Sequence, residues 1–127
     1  MLKSIHHIAI ICSDYEASKA FYVDKLGLEI IAETYRKDRD SHKLDLALNG
    51  RYVIELFSFP NPPERVTRPE AAGLRHLAFA ADDLDHAVSK LLEKGITAEA
   101  VRTDPETGKR FTFFSDPDGL PLELYEA

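Results

Sequence analysis

One pattern occurs twice in this chain. His7 is followed 48 positions later by Glu55, and His76 is followed 47 positions later by Glu123, each in look-alike surroundings. Ile5-His6-His7-Ile8-Ala9-Ile10-Ile11 matches Leu74-Arg75-His76-Leu77-Ala78-Phe79-Ala80, an apolar run interrupted by a histidine. A helix start follows each run, Ser13-Asp14-Tyr15-Glu16 in the first half and Asp82-Asp83-Leu84-Asp85 in the second. Ser13 and Glu16 have the spacing of a capping box, in which hydroxyl and carboxylate satisfy orphan donors of the first turn. Helical stripes come next, Ser18, Phe21, Tyr22 and Leu26 against Leu84, Val88, Leu91 and Leu92. Both stripes stop at glycine, Gly27 and Gly95, the residue that enters the left-handed conformation without a Cβ clash. A single one-residue gap aligns the halves and sets Ala9 on Ala78, Asp14 on Asp83 and Lys25 on Lys94. Such a duplication of one supersecondary unit narrows the fold to paired copies of that unit with pseudo-twofold symmetry.

Each half reads as strand, helix, then three strands. In the first, strands are expected at Glu29 to Tyr35, Lys43 to Leu48 and Tyr52 to Ser58, with Asn49-Gly50 as a hairpin turn that needs positive φ. In the second, they are expected at Thr97 to Arg102, Arg110 to Ser115 and Leu122 to Glu126, with Asp116-Pro117-Asp118-Gly119 as the turn. The expected class is α+β: two tandem βαβββ modules, residues 1–58 and 74–127, with curved antiparallel-rich mixed sheets and helices outside. Residues 59–73 join them, and four prolines there predict a stiff, extended crossing. A module of about 60 residues buries too little surface to be secure alone, so the modules must pair. Pairing within one chain and exchange between two are both open, and the stiff connection favours a homodimer.

Charge narrows the partners. Sixteen basic against 22 acidic residues give a formal charge of −6, which disfavours nucleic acid or an anionic membrane. The start of the chain enters a strand pattern directly, and no apolar run is long enough to span a bilayer, so a cytoplasmic location is expected. The single cysteine, Cys12, excludes an intrachain disulfide and reads as a small core residue.

The glutamates point to chemistry. Alternation in Tyr52-Val53-Ile54-Glu55-Leu56-Phe57 puts Tyr52, Ile54 and Leu56 on one face and Val53, Glu55 and Phe57 on the other. Both faces are otherwise apolar, and Glu123 in Leu122-Glu123-Leu124 has the same problem. An enclosed carboxylate without a partner is costly, and a cation beside it removes the cost. A symmetric fold lets equivalent side chains converge, so His7, Glu55, His76 and Glu123 are the expected ligands of one divalent metal. His6 becomes the ligand only if the register slips by one, because adjacent strand positions face opposite ways. His42, in a charged stretch, and His86, on a polar helix face, read as solvated. Two nitrogens and two carboxylates without thiolate suit zinc, nickel, iron, cobalt or manganese and leave positions open for substrate.

These residues resemble the glyoxalase, bleomycin-resistance and extradiol-dioxygenase group, the vicinal oxygen chelate superfamily. His7-Ile8-Ala9-Ile10, Phe21-Tyr22 to Leu26-Gly27, Val53-Ile54-Glu55-Leu56, Arg75-His76-Leu77-Ala78-Phe79, and Asp116-Pro117-Asp118-Gly119 to Leu122-Glu123-Leu124 carry the likeness. It implies paired βαβββ modules around a metal-binding cup. Within the group, glyoxalase I is most similar in ligand type, which implies a lyase or isomerase acting on the hemithioacetal of methylglyoxal and glutathione through a metal-stabilised enediolate. By that analogy Glu123 is the base, with Glu55 second. The connection 57–73, with Pro60, Pro62, Pro63, Arg65 and Arg68, departs from the glyoxalase I pattern, and the glutathione-holding residues do not map. Arg36, Arg39, Arg65, Arg68 and Arg110 are candidates for a substrate carboxylate. An Fe(II) extradiol-type dioxygenase and a metal- or ligand-binding module of the bleomycin-resistance type stand as alternatives.

Overall fold

The computed structural model describes all 127 residues, Met1–Ala127, as two units, Met1–Glu64 and Arg65–Ala127. The first runs β1 (Ile8–Cys12), α1 (Tyr15–Lys19) continued by a wider π-turn (Ala20–Lys25), β2 (Glu29–Arg36), β3 (Ser41–Leu48) and β4 (Arg51–Ser58). The second runs β5 (Leu77–Ala81), α2 (Leu84–Glu93), β6 (Arg102–Thr103), β7 (Arg110–Ser115) and β8 (Pro121–Glu126). The sheets have one topology, β1-β4-β3-β2 and β5-β8-β7-β6. The first pair in each is parallel and the others are antiparallel. The fold is thus α+β with two βαβββ modules. No helix is long and apolar enough to cross a membrane.

The helix starts follow the repeat more closely than the local motif. Asp14, not Ser13, caps α1, its carboxylate accepting from Ala17 N at 3.1 Å. Its counterpart Asp83 caps α2 through His86 N at 3.0 Å. Both residues are extended, φ −123° and −127°, which aims a short carboxylate at the free first-turn donors. Gly27 and Gly95 end the helical segments at φ 81°. Of the expected stripes, Ser18, Phe21, Tyr22, Leu84 and Leu91 are buried, but Leu92 is 63% exposed. One residue beyond Leu91 turns about 100° around an α-helix, which carries Leu92 off the buried face.

Asn49 and Gly50 take φ 51° and 77°, as the β3–β4 hairpin requires. The Asp116–Gly119 turn is closed by its first residue, whose Oδ1 accepts from Asp118 N and Leu120 N, both at 2.9 Å. The expected strand from Thr97 to Arg102 does not form at that length; only Arg102–Thr103 pairs as β6. Glu99 alone reaches β7 through its N–H, bonded to Phe113 O at 2.9 Å. The Thr112 hydroxyl takes the Glu99 carbonyl at 2.6 Å, a side-chain bond in place of a ladder bond. The connection, expected to be extended throughout, turns at Thr67–Glu70 and contains a cis Arg68–Pro69 bond.

Burial follows the two-residue strand period in β4, whereas β3 is buried continuously from Leu44 to Ala47. Leu44, Leu46, Ile54 and Leu56 are fully buried with Phe21 and Tyr22 in the first unit, and Leu122 and Phe114 with Leu84 and Leu91 in the second. Cys12 is buried at the end of β1. The opposite sheet face is the open one, and it carries Glu55.

Candidate metal centre

In both units the glutamate sits beside an alanine across a parallel strand pair, Glu55 opposite Ala9 and Glu123 opposite Ala78. The histidines precede β1 and β5 by one residue, two positions before those alanines. A methyl group at Ala9 or Ala78 leaves room for an imidazole from two residues upstream to lean onto the carboxylate. His7 Nε2 lies 3.8 Å from Glu55 Oε1, and His76 Nε2 lies 2.9 Å from Glu123 Oε2. Donors bound to one ion at about 2.1 Å stand roughly 3–3.5 Å apart. The His76 pair is already near that span, and the His7 pair is slightly open. Both carboxylate side chains are largely enclosed, 16% exposed for Glu55 and 11% for Glu123. Nitrogen and carboxylate donors at these separations fit a divalent ion. Neither unit by itself brings three or more such groups together in a metal-holding arrangement.

Surroundings of the two pairs differ. Asp45 stands directly across β3 from Glu55. The Tyr52 hydroxyl lies 2.7 Å from Asp45 Oδ1 and 3.1 Å from Glu55 Oε2. Lys43 Nζ reaches Asp45 at 3.0 Å and Glu55 Oε2 at 3.5 Å. Oε1 of Glu55 therefore faces His7 while Oε2 is held by a hydroxyl and an ammonium. Burial pushes the Asp45 carboxyl up, but the Tyr52 hydrogen bond and Lys43 outweigh it and hold Asp45 below the usual carboxylate range. The hydrogen bond to Asp45 raises the Lys43 ammonium. Burial, then the carboxylates of Asp45 and Glu55, push the Tyr52 phenol well above its ordinary value, so it is a donor at neutral pH.

Strict alternation puts Tyr52 with Ile54 and Leu56, away from Glu55, and the structure corrects that placement. The ladder steps from Leu46–Ile54 to Ala47–Tyr52, skipping Val53. This bulge turns Tyr52 onto the Glu55 face, a common way of re-aiming one side chain. His6 also departs from expectation. It and His7 both precede the strand, so alternation does not part them. Both rings pack near Tyr52, with centroids at 5.2 and 5.1 Å, and their Nδ1 atoms are 2.7 Å apart. That contact occupies the His7 nitrogen away from Glu55, an arrangement that orients an imidazole.

In the second unit, aromatic rings replace this network. Phe113 stands across from Glu123, and its ring meets His76 edge-on at 5.1 Å. Phe111 packs against Phe113 at 6.1 Å, and Arg102 lies over both rings.

Among the other candidates, Arg110 is tied to Glu126 and Asp85 at 2.9 and 3.2 Å. Arg65 donates to the carbonyls of Leu74 and Arg75. Arg36 lies over Phe57 and Phe59, and Arg39 over Phe59. His86 is exposed, as expected. His42 is not simply solvated: its ring stacks on Tyr15 at 4.1 Å and leans on Tyr35. The Tyr15 hydroxyl bonds to Glu33, which Lys19 holds low. Sequence reasoning passed over Asp45, Lys43 and Tyr52. The signal for the first two was Lys43-Leu44-Asp45 in a strand whose Asn49-Gly50 hairpin puts it beside Glu55.

The model of the Glyoxalase/Bleomycin resistance protein/Dioxygenase superfamily matches residues 4–124. The chain belongs to that superfamily. It is 76% identical over 126 residues to the uncharacterized protein YwkD of Bacillus subtilis, spanning 99% of this chain and 98% of that one. It is 66% identical to the uncharacterized protein YaeR of Escherichia coli, spanning 98% and 97%. The crystal structure of a glyoxalase family protein from Enterococcus faecalis superposes with a TM-score of 0.92 at 49% identity, covering 98% of each chain. More distant superfamily relatives include enzymes: a 2-epi-5-epi-valiolone epimerase of Actinomyces (27%), a catechol-2,3-dioxygenase of Bacillus subtilis (29%, over 36% of its length) and a metallothiol transferase FosB of Lysinibacillus sphaericus (26%).

Proposed function

We propose that the protein is a metal-dependent lyase or isomerase of the glyoxalase I kind, acting on a hemithioacetal of methylglyoxal, such as its glutathione adduct, or on a related small oxygenated substrate. The observation that carries this reading is one His–Glu pair recurring at one register position in both units. His7, Glu55, His76 and Glu123 are the proposed ligands of one divalent ion, zinc or nickel first, with iron, cobalt and manganese compatible with the same donors. When bound, such an ion supplies Lewis acidity toward adjacent substrate oxygens. The chain's own side chains supply the rest. Glu55 is the anchored carboxylate, its Oε2 held by Tyr52 and Lys43. Glu123 is the proposed base, because its ion-pair partner is His76 alone and it can swing to exchange a proton with a substrate carbon. Phe113, across the strand pair from Glu123, gives that carboxylate an apolar neighbour. An epimerase among the relatives is in keeping with proton transfer at carbon. A homodimer in the cytoplasm is the proposed setting.

The test is metal analysis of the protein beside His76→Ala, followed by S-lactoylglutathione formation after reloading with Ni²⁺ or Zn²⁺. Near-stoichiometric metal that the variant loses, together with turnover, is the expected result. Metal without turnover would retire this substrate and turn the search to other vicinal oxygens. Absence of metal from both proteins would overturn the enzyme reading in favour of a binding module.

A further inference from the structure

Two guanidinium groups without a carboxylate partner meet at the Phe59 ring, and one of them, Arg36, also lies over Phe57 on the sheet face that carries Glu55. Arg36, at the end of β2, sets its guanidinium 4.8 Å from the Phe57 ring centroid and 5.9 Å from that of Phe59. Its one hydrogen bond runs from Nη2 to Ser41 Oγ at 3.0 Å, and its buried Nε has no partner. Arg39 lies 5.3 Å from the same Phe59 ring. Lys43, the cation beside Glu55 on this face, is by contrast answered by Asp45 and Glu55. In a chain of net charge −6, two unanswered guanidinium groups on one ring form a local positive spot that an anion would relieve. Arginine's planar fork, fixed against aromatic faces, is suited to bidentate recognition of a carboxylate or phosphate.

We propose that Arg36, assisted by Arg39, anchors an oxyanion carried by the substrate of the His7–Glu55 face. Phe57 is two positions from Glu55 on one strand, so the Phe57 ring under Arg36 stands about 7 Å along the strand from the carboxylate. Among the small oxygenated substrates proposed above, this anchor selects those whose carboxylate or phosphate is separated by a few bonds from the reacting oxygens. Neutral dicarbonyl derivatives lack the group that Arg36 would hold. This assignment rests on the reading of Glu55 as part of the reacting end.

The experiment follows the Arg36 Nε–H resonance by NMR in the whole chain, with and without zinc, during titration with inorganic phosphate, glycolate and ethylene glycol. The resonance is assigned through its loss in Arg36→Gln. Saturable shifts with phosphate or glycolate and none with the neutral diol are expected, the tighter anion naming the oxyanion. Arg36→Gln should weaken that binding about tenfold to a hundredfold, the size of one charge-assisted contact, with zinc content unchanged. An unmoved Nε resonance, or a diol that binds as tightly as the anions, would overturn the proposal. Where Arg36→Gln fails to fold, Arg36→Lys, which keeps the charge and lacks the Nε–H, gives the same assignment. Anion binding without zinc uptake would sink the metal reading alone, and zinc uptake without anion binding would sink the anchor alone.

Discussion

Glu55 and Glu123 occupy the same position in duplicate units, and almost nothing around them is the same. Each faces an alanine on a parallel strand and a histidine two residues upstream of that alanine. Around Glu55 stand Asp45, Lys43 and Tyr52; around Glu123 stand Phe113 and Phe111. Duplication has kept what backbone register controls and changed what single side chains control. One carboxylate is held fast by polar neighbours, whereas the other is enclosed by rings and left with a single partner. Two equivalent carboxylates can thereby serve the two ends proposed for them, one holding and one moving a proton.

The sharpest way to break this comparison is to neutralise each carboxylate in turn. Glu123→Gln should lower turnover by about 10²- to 10⁴-fold, the usual worth of a positioned base, with the thermal unfolding midpoint little changed. Glu55→Gln should chiefly reduce metal content. Equal effects on turnover and metal in both variants would erase the division of labour. The shared scaffold gives the next largest effect. Ile54 and Leu122 are equivalent, fully buried residues one position before the glutamates. Alanine at either should cost about 2–5 kcal/mol through lost burial and a residual cavity, read by denaturant unfolding. If only one of the two mattered, the units would not share a packing plan.

Tyr52→Phe should affect the first unit alone. It removes a donor from Asp45 and Glu55 and should weaken metal binding by about tenfold to a hundredfold, as loss of a ligand-orienting bond commonly does. Competition with a chromogenic chelator measures it, and unchanged affinity would mean that Lys43 alone holds Glu55. The smallest effect lies at the helix starts. Asp14→Ala and Asp83→Ala should each destabilise by about 1 kcal/mol, with Ser13→Ala costing less, measured by urea midpoint. A larger loss for Ser13→Ala would restore the capping-box reading.

Much of the fold was legible because the repeat carries its own check. A local motif pointed to Ser13, yet the alignment of Asp14 with Asp83 marks the true caps. Strands with strong two-residue alternation emerged near their expected bounds, Arg110 to Ser115 among them. Thr97 to Arg102 failed, since a threonine hydroxyl captured the carbonyl that a ladder would have used. Leu92 failed because one step around a helix decides burial, and apolar character alone does not.

The amino-acid sequence by itself determined the duplication, the succession of strand, helix and strands along each half, and the matching of each histidine with a glutamate at one spacing. Spacing and periodicity are properties of the backbone repeat, and they survive without knowledge of any contact. Tertiary structure alone decided what surrounds each pair. A skipped residue at Val53 turns Tyr52 toward Glu55, and cross-strand register sets Asp45 beside one glutamate and Phe113 beside the other. Asp45 and Phe113 each lie ten residues from their glutamate in the chain, so only the paired strands bring that charge and that ring within reach.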